Sequence, residues 1–389
     1  MSLFDKASLM LTPSGVKTDK VHSQKPSNGN GDFTFDRSST ATRVNKDGYI
    51  ETVAADVPRL NYPLIDGVVQ DCPSLILEPA RTQLIRYSGD FSNAAWVKSG
   101  VTFSNNTITA NAGSSFKNIL QNETNDGAQT AFFDVEYIDH QWLHILVGSN
   151  ASDTGFINFD IQNKVVGYSE GGFTGNVIDY GSFIRILVNF NTTDKTSILL
   201  SFIDSNAATR VPSSTSTGSF KLYRSQLEQG SYPTSYIPTQ GSTVTRTIDL
   251  ASKTGLSSNL LSGKTQATIF LEFDYPLATT SVDVFAITRS DSTNGRAYIW
   301  GSQIGFASNW NGTVQAISLT TTNKVIWRFN SLSNGSTFVA GVKGGGFTGT
   351  AYTNIDSFIF GGYGILKVKK LQIFDTALSD TECISLTQA

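Results

Sequence analysis

Glu272 and Asp274 stand two positions apart in the run Thr268–Asp274 (TIFLEFD). On a strand, positions i and i+2 share a face. Two carboxyls facing one glycosidic bond are what sugar hydrolysis needs, one to protonate the leaving group and one to attack or assist. No third acid extends the pair, because Pro276 and Leu277 follow. A solvent-facing strand accounts for the two acids equally well. His140 and His144 (DHQWLH) form a second constellation. On a helix this spacing puts both rings on one face, as zinc sites do. On a strand it puts them ~13 Å apart, too far for one metal, and the surrounding residues are strand formers. No nucleophile elbow, phosphate-binding loop or dinucleotide fingerprint occurs. The expectation is therefore not an enzyme, with a polysaccharide depolymerase using Glu272 as the enzymatic alternative.

Sugar recognition needs flat aromatic faces together with amide and carboxylate groups for hydroxyls. Two stretches supply both. Asn309, Trp310 and Asn311 lie in a turn-rich segment (WGSQIGFASNWNG), and Tyr352 and Asn354 pair with Tyr363 further on. These six are the candidate glycan contacts; the competing reading packs each aromatic on its own sheet. Trp96 and Trp327 sit in strand-like contexts and are expected in cores.

Positioning these groups falls to strands. Residues 85–247 read as one sandwich, with candidates at 101–110, 130–138, 142–148, 155–161, 197–204 and 219–228. In Phe183–Phe190, Ile184, Ile186, Val188 and Phe190 alternate onto one face. So many short strands imply a sandwich or jelly roll. Residues 248–389 repeat the style, with Asn294-Gly295, Asn311-Gly312 and Asn334-Gly335 as hairpin signals. Leu378–Leu386 is the one helical stretch, capped by Ser379 with Glu382 three residues on. Residues 1–84 differ. Pro58, Pro63, Pro73 and Pro79 limit regular structure there, so this segment is expected to lie extended along a later domain, a sister subunit or a socket. The fold class is all-β: two tandem antiparallel β-sandwich domains after an extended N-terminal anchoring segment.

Composition narrows the partners. Only 16% of the residues are charged and the net charge is −3, without the basic face that nucleic-acid binders carry. No run reaches the ~18 apolar residues of a spanning helix, and Asp5 and Lys6 interrupt any secretory signal. Cys72 and Cys383 have no metal or redox spacing. An extracellular-looking β-protein without an export signal suits release by cell lysis.

Three long motifs then carry a resemblance. Asp32–Val53 (DFTFDRSSTATRVNKDGYIETV), with Val57–Leu60 (VPRL) and Cys72–Ser88 (CPSLILEPARTQLIRYS), resembles the N-terminal module of tailed-bacteriophage virion proteins. Asp90–Gly100 (DFSNAAWVKSG) resembles the opening, and Gln226–Val244 (QLEQGSYPTSYIPTQGSTV) the close, of a carbohydrate-binding-module-like jelly roll. Leu366–Phe374 (LKVKKLQIF) before Ala377–Glu382 resembles the end of a laminin-G or concanavalin-A-like lectin domain. The resemblance implies a virion fibre or appendage subunit, a homo-oligomer (a trimer in such fibres), anchored to other virion proteins through residues 1–84 and binding a host surface polysaccharide or glycan. A head or tail decoration protein that binds no sugar is the alternative. The implied oligomer would bury Leu60, Tyr62, Leu64, Leu75, Ile76 and Leu77 between subunits. The resemblance also makes Asp90 and Glu228 candidate ligands of a structural Ca²⁺, against a reading in which Arg224 forms an ion pair with either carboxylate.

Overall fold

The computed structural model describes residues 2–388 apart from 114, 124, 149–154, 196, 211–212, 275–280, 290–293, 301–302, 309–313, 317–321, 332–333, 349–354 and 362–363. The described chain is built almost wholly of antiparallel strands and divides into two compact units, one of residues 1–63, 71–80 and 247–389, the other of residues 64–70 and 81–246.

In the second unit, two six-stranded sheets enclose an apolar core. One runs Val97–Ser99, Asn118–Gln121, Ile198–Phe202, Trp142–Val147, Phe156–Asp160, Val165–Glu170; the other runs Val101–Ser104, Thr107–Ala110, Ser219–Gln229, Asn125–Tyr137, Ile184–Lys195, Thr174–Asp179. Alternation explains the filling. Ile184, Ile186, Val188 and Phe190 enter the core as their period predicts, opposite Ala131, Phe133 and Val135 of the neighbouring strand. Trp96 is buried against Phe91 at 5.0 Å, its indole N–H donating to the Tyr87 carbonyl at 2.8 Å.

Residues 1–63 and 71–80 lie along the later domain, one of the three expected placements, but as strands of its own sheets and not as a separate segment, while residues 64–70 and 81–84 belong to the other unit. In the first unit, one sheet joins Leu366–Phe374 to both Leu9–Leu11 and Ser74–Leu77, with Arg59–Asn61 outside the latter. The opposite sheet takes in Val16–Lys17, Lys20–Val21 and Phe33–Asp36 beside Leu250–Lys253. Leu60, Leu75, Ile76 and Leu77 are thus already buried within a single chain. Prolines are excluded from the middle of a ladder but not from the positions flanking a strand of two to four residues, so the Pro-interrupted segment still contributes strands, and Ser74–Leu77 is paired on both sides. Trp327 lies in this core, its ring edge-on to Phe285 at 4.8 Å.

Four charges close the same unit from inside. Arg37 donates to Asp249 at 3.1 Å, and Arg59 donates to Glu78 at 2.9 Å and to Asp249. All four side chains are inaccessible to solvent. Arg37, Arg59 and Glu78 belong to the three pieces of the N-terminal motif, DRSST, VPRL and LEPAR.

The C-terminal helix spans Asp380–Thr387, with Ser379 and Glu382 forming the expected capping box. The Asn-Gly signals resolve differently: Asn294 and Asn334 open the strands Asn294–Trp300 and Asn334–Val339, and Gly335 pairs in the ladder with Phe329. The tight turn of that region is Ala340-Gly341, at φ 49° and 75°, where both central residues of a two-residue hairpin take positive φ. No helix among the described residues is long and apolar enough to cross a membrane.

Candidate functional site

Among the described residues, the sequence-derived candidates are not gathered into one site. Asn309, Trp310, Asn311, Tyr352, Asn354 and Tyr363 all lie outside the described residues. Glu272 stands between Lys324 and Lys370 in the ladder, and Asp274 pairs with Lys369 at 2.8 Å. His140 accepts from or donates to Ser216 Oγ through Nδ1 at 2.8 Å and contacts the Trp142 carbonyl through Nε2 at 2.7 Å. His144 meets Asn158 at 2.6 Å. Each histidine is tied to its own neighbours, and burial holds both imidazoles below their usual range. Cys72 is exposed; Cys383 is buried, which pushes its thiol up to about 11.

Asp90 and Glu228 are likewise each tied to their own neighbours. Asp90 is exposed and accepts from the Ser92 backbone at 3.1 Å, while buried Glu228 accepts from the Thr234 hydroxyl at 2.7 Å and from its backbone N–H. Leu84 bonds at the level of Leu227 and Ser88 at that of Ser225, so the chain carries Asp90 away from Glu228. Ca²⁺ takes six to eight oxygens, and these two carboxylates make no such cage. Among the described residues no group of three or more His, Cys, Asp or Glu side chains could hold a metal ion. Arg224 pairs with neither carboxylate; its partner is Asp134, at 3.4 Å.

That contact leads to a face the sequence reading missed. Because Ala131, Phe133 and Val135 point into the core, Thr130, Phe132, Asp134 and Glu136 point out of the second sheet. Arg185 joins them from Ile184–Lys195 and Lys221 from Ser219–Gln229. The ladder between the last strand and Asn125–Tyr137 shifts register between Asp134 and Val135: Leu222 opposes Val135, Arg224 opposes Asp134, and Tyr223 is the extra residue. Such a bulge re-aims side chains. Here it sets Tyr223 and Arg224 beside Lys221 on one side.

The face is ordered by rings and charges. Arg185 grips Asp134 through two nitrogens at 2.7 and 3.0 Å while its guanidinium lies 3.6 Å above the Phe132 ring. The Asp134 charge raises Arg185 against the effect of burial. Tyr180 and Phe183 stack at 4.9 Å with planes 10° apart, and Tyr223 lies 6.0 Å from Phe183. The Tyr180–Phe183 turn that creates this stack contains Gly181 at φ 81°, whose N–H is held by Asp179 at 2.8 Å. Glu136 accepts from Lys221 at 2.8 Å and from the Tyr223 hydroxyl. Despite partial burial, these bonds keep the Glu136 carboxyl below its ordinary range.

Only part of the face stays open. Gly230–Thr239 folds back over its other end, where Gln226 receives the Ile237 N–H at 2.7 Å and Glu228 receives Thr234. Tyr180, Phe183, Tyr223, Arg224 and Lys221 remain half-buried. The result is a shelf of flat rings edged with fixed donors and acceptors, a surface suited to a polar, hydroxyl-rich ligand with apolar C–H faces.

No protein-family model matches the sequence, and no curated protein matches it. Among solved structures, the chain is similar to the carbohydrate-binding module CBM40 of the Ruminococcus gnavus IT-sialidase bound to α2,3-sialyllactose, at 15% identity over 35% of this chain and 91% of that one, with a TM-score of 0.29. The leech intramolecular trans-sialidase shares 18% identity over 32% of this chain and 23% of that one, TM-score 0.28. The Trypanosoma rangeli sialidase with the inhibitor DANA shares 11% over 74% and 62%, TM-score 0.27.

Proposed function

We propose that this chain is a glycan-binding structural subunit of a bacteriophage fibre or appendage, working in the virion as a homo-oligomer, a trimer in the reading from resemblance, and not as an enzyme. The observation that supports the binding role best is the half-open shelf of Tyr180, Phe183 and Tyr223 beside Arg224, Lys221 and Glu136. Sugar rings present C–H faces to aromatic planes and hydroxyls to charged and amide groups, and the shelf offers both within one sheet. The virion role rests on the motif resemblance. Contacts with other virion proteins would then involve the unit that the N-terminal strands help to build, where Tyr49 projects with 72% of its surface exposed.

A glycan array probed with the intact chain and with the Phe183→Ala/Tyr223→Ala double variant tests this. The expected result is a restricted set of bound host-type glycans lost in the variant. A blank array for the intact chain would leave a decoration protein; release of reducing ends from a polysaccharide, abolished by Glu272→Gln, would make it a depolymerase.

A further inference from the structure

We infer that the saccharide taken by this shelf is acidic and that Arg224 receives its carboxylate, an inference that rests on the glycan-binding reading and narrows it. The charges on the shelf are unequally matched. Glu136 is neutralised by Lys221 at 2.8 Å and receives the Tyr223 hydroxyl. Asp134 is engaged by Arg185 through two parallel bonds at 2.7 and 3.0 Å, and neither of those side chains is more than 7% exposed. Arg224 reaches the same carboxylate with one nitrogen only, at 3.4 Å. Its remaining donors make no hydrogen bond to any described residue, and its side chain is 26% exposed. Buried Glu228 adds its charge to Arg185 from the covered end, so the cation held most loosely is Arg224, at the open end.

The aromatic neighbours pre-arrange that cation. The Arg224 guanidinium lies 5.4 Å from the Phe183 ring and 5.9 Å from the Tyr236 ring, contacts that favour a fixed planar orientation. A planar guanidinium with free N–H groups matches a carboxylate in a two-bond fork. A neutral sugar stacked on Phe183 would instead cover these donors and give them only hydroxyls. An acidic sugar stacked on the same ring can turn its carboxylate toward Arg224 and use the donors that Asp134 leaves unengaged.

The test is titration calorimetry on the intact chain with oligogalacturonate, hyaluronan and polysialate fragments, each beside its uncharged methyl ester. At least one acid is expected to bind about ten- to a hundredfold more tightly than its ester, with the difference shrinking as salt rises. Arg224→Gln should bring that acid down to the affinity of its ester, and Arg224→Lys, which keeps the charge but not the fork, should fall between. If acids and esters bind alike, or Arg224→Gln leaves the difference intact, the inference is overturned while the glycan-binding reading stands. If no saccharide, charged or neutral, binds the intact chain, both fail.

Discussion

The guanidinium of Arg37 and the carboxylate of Asp249, 212 positions apart in sequence, meet at 3.1 Å with neither side chain exposed. Asp249 also receives Arg59 and the Glu78 backbone N–H at 2.9 Å. One carboxylate therefore fastens three N-terminal positions to the strand that opens the C-terminal region. The N-terminal motif is in this sense a structural part of the sandwich.

Removing that carboxylate should be severe. Asp249→Asn would take the carboxylate charge away from two buried guanidinium groups, and breaking a buried pair from one side costs about 3–5 kcal/mol. Urea unfolding should show a loss of that size, carried by the unit containing residues 247–389. A loss below about 1 kcal/mol would mean that the cluster is wet and loosely held.

His144 should make the second unit sensitive to acid. Burial holds its imidazole down at about 4, with Nδ1 on Asn158 and Nε2 buried without a hydrogen-bond partner. In the unfolded chain the same group titrates near ~6.5. Above that pH both states are neutral and nothing is gained or lost. As pH falls from ~6.5 toward 4, the unfolded chain binds a proton that the folded chain refuses, so stability drops by about 2–3 kcal/mol. Comparing urea midpoints of wild type and His144→Gln at pH 7 and pH 4.5 isolates this contribution. The difference between the two proteins should move in the variant's favour by that amount on acidification, and a pH-independent difference would refute a buried neutral ring.

Gly67 supports the shelf from beneath. It packs against Gly181 in the turn that carries Tyr180, and a methyl group there would come within 2.8 Å of the Gly181 Cα, at a position with φ 77°. Gly67→Ala should cost at least ~1 kcal/mol from the left-handed backbone alone and should disturb the Tyr180–Phe183 stack. Near-ultraviolet circular dichroism should change in the aromatic region, and glycan affinity should fall although residue 67 is not among the shelf residues. An unchanged spectrum and affinity would detach the hairpin Leu64–Val69 from the site.

Much of the sandwich was readable in the sequence because strict alternation leaves one solution for which face is buried. Ile184 to Phe190 and the capping box at Ser379 show this. Three things were not readable. Strands of two to four residues between prolines, such as Ser74–Leu77, are too short to display a period, and their pairing partners lie nearly three hundred residues away. The shelf depends on the bulge at Tyr223, which breaks alternation and brings Lys221, Tyr223 and Arg224 to one side; a strict period of two assigns Arg224 and Tyr223 to opposite faces. The Asn-Gly pairs signalled turns from local preference, yet at 294 and 334 the ladder absorbed them as strand residues. A cluster of Arg, Tyr and Phe on two strands was the available clue to the site, visible in Tyr180, Phe183, Arg185, Tyr223 and Arg224 once those strands are set on either side of Asn125–Tyr137.

Hydrogen–deuterium exchange with and without a saturating bound saccharide tests the central claim most directly. Slowed exchange is expected at residues 180–185, 132–136 and 221–224, with little change in the unit of residues 1–63, 71–80 and 247–389. Protection confined to residues 300–312 and 352–363, leaving the shelf untouched, would place recognition in the other unit and contradict the site described here.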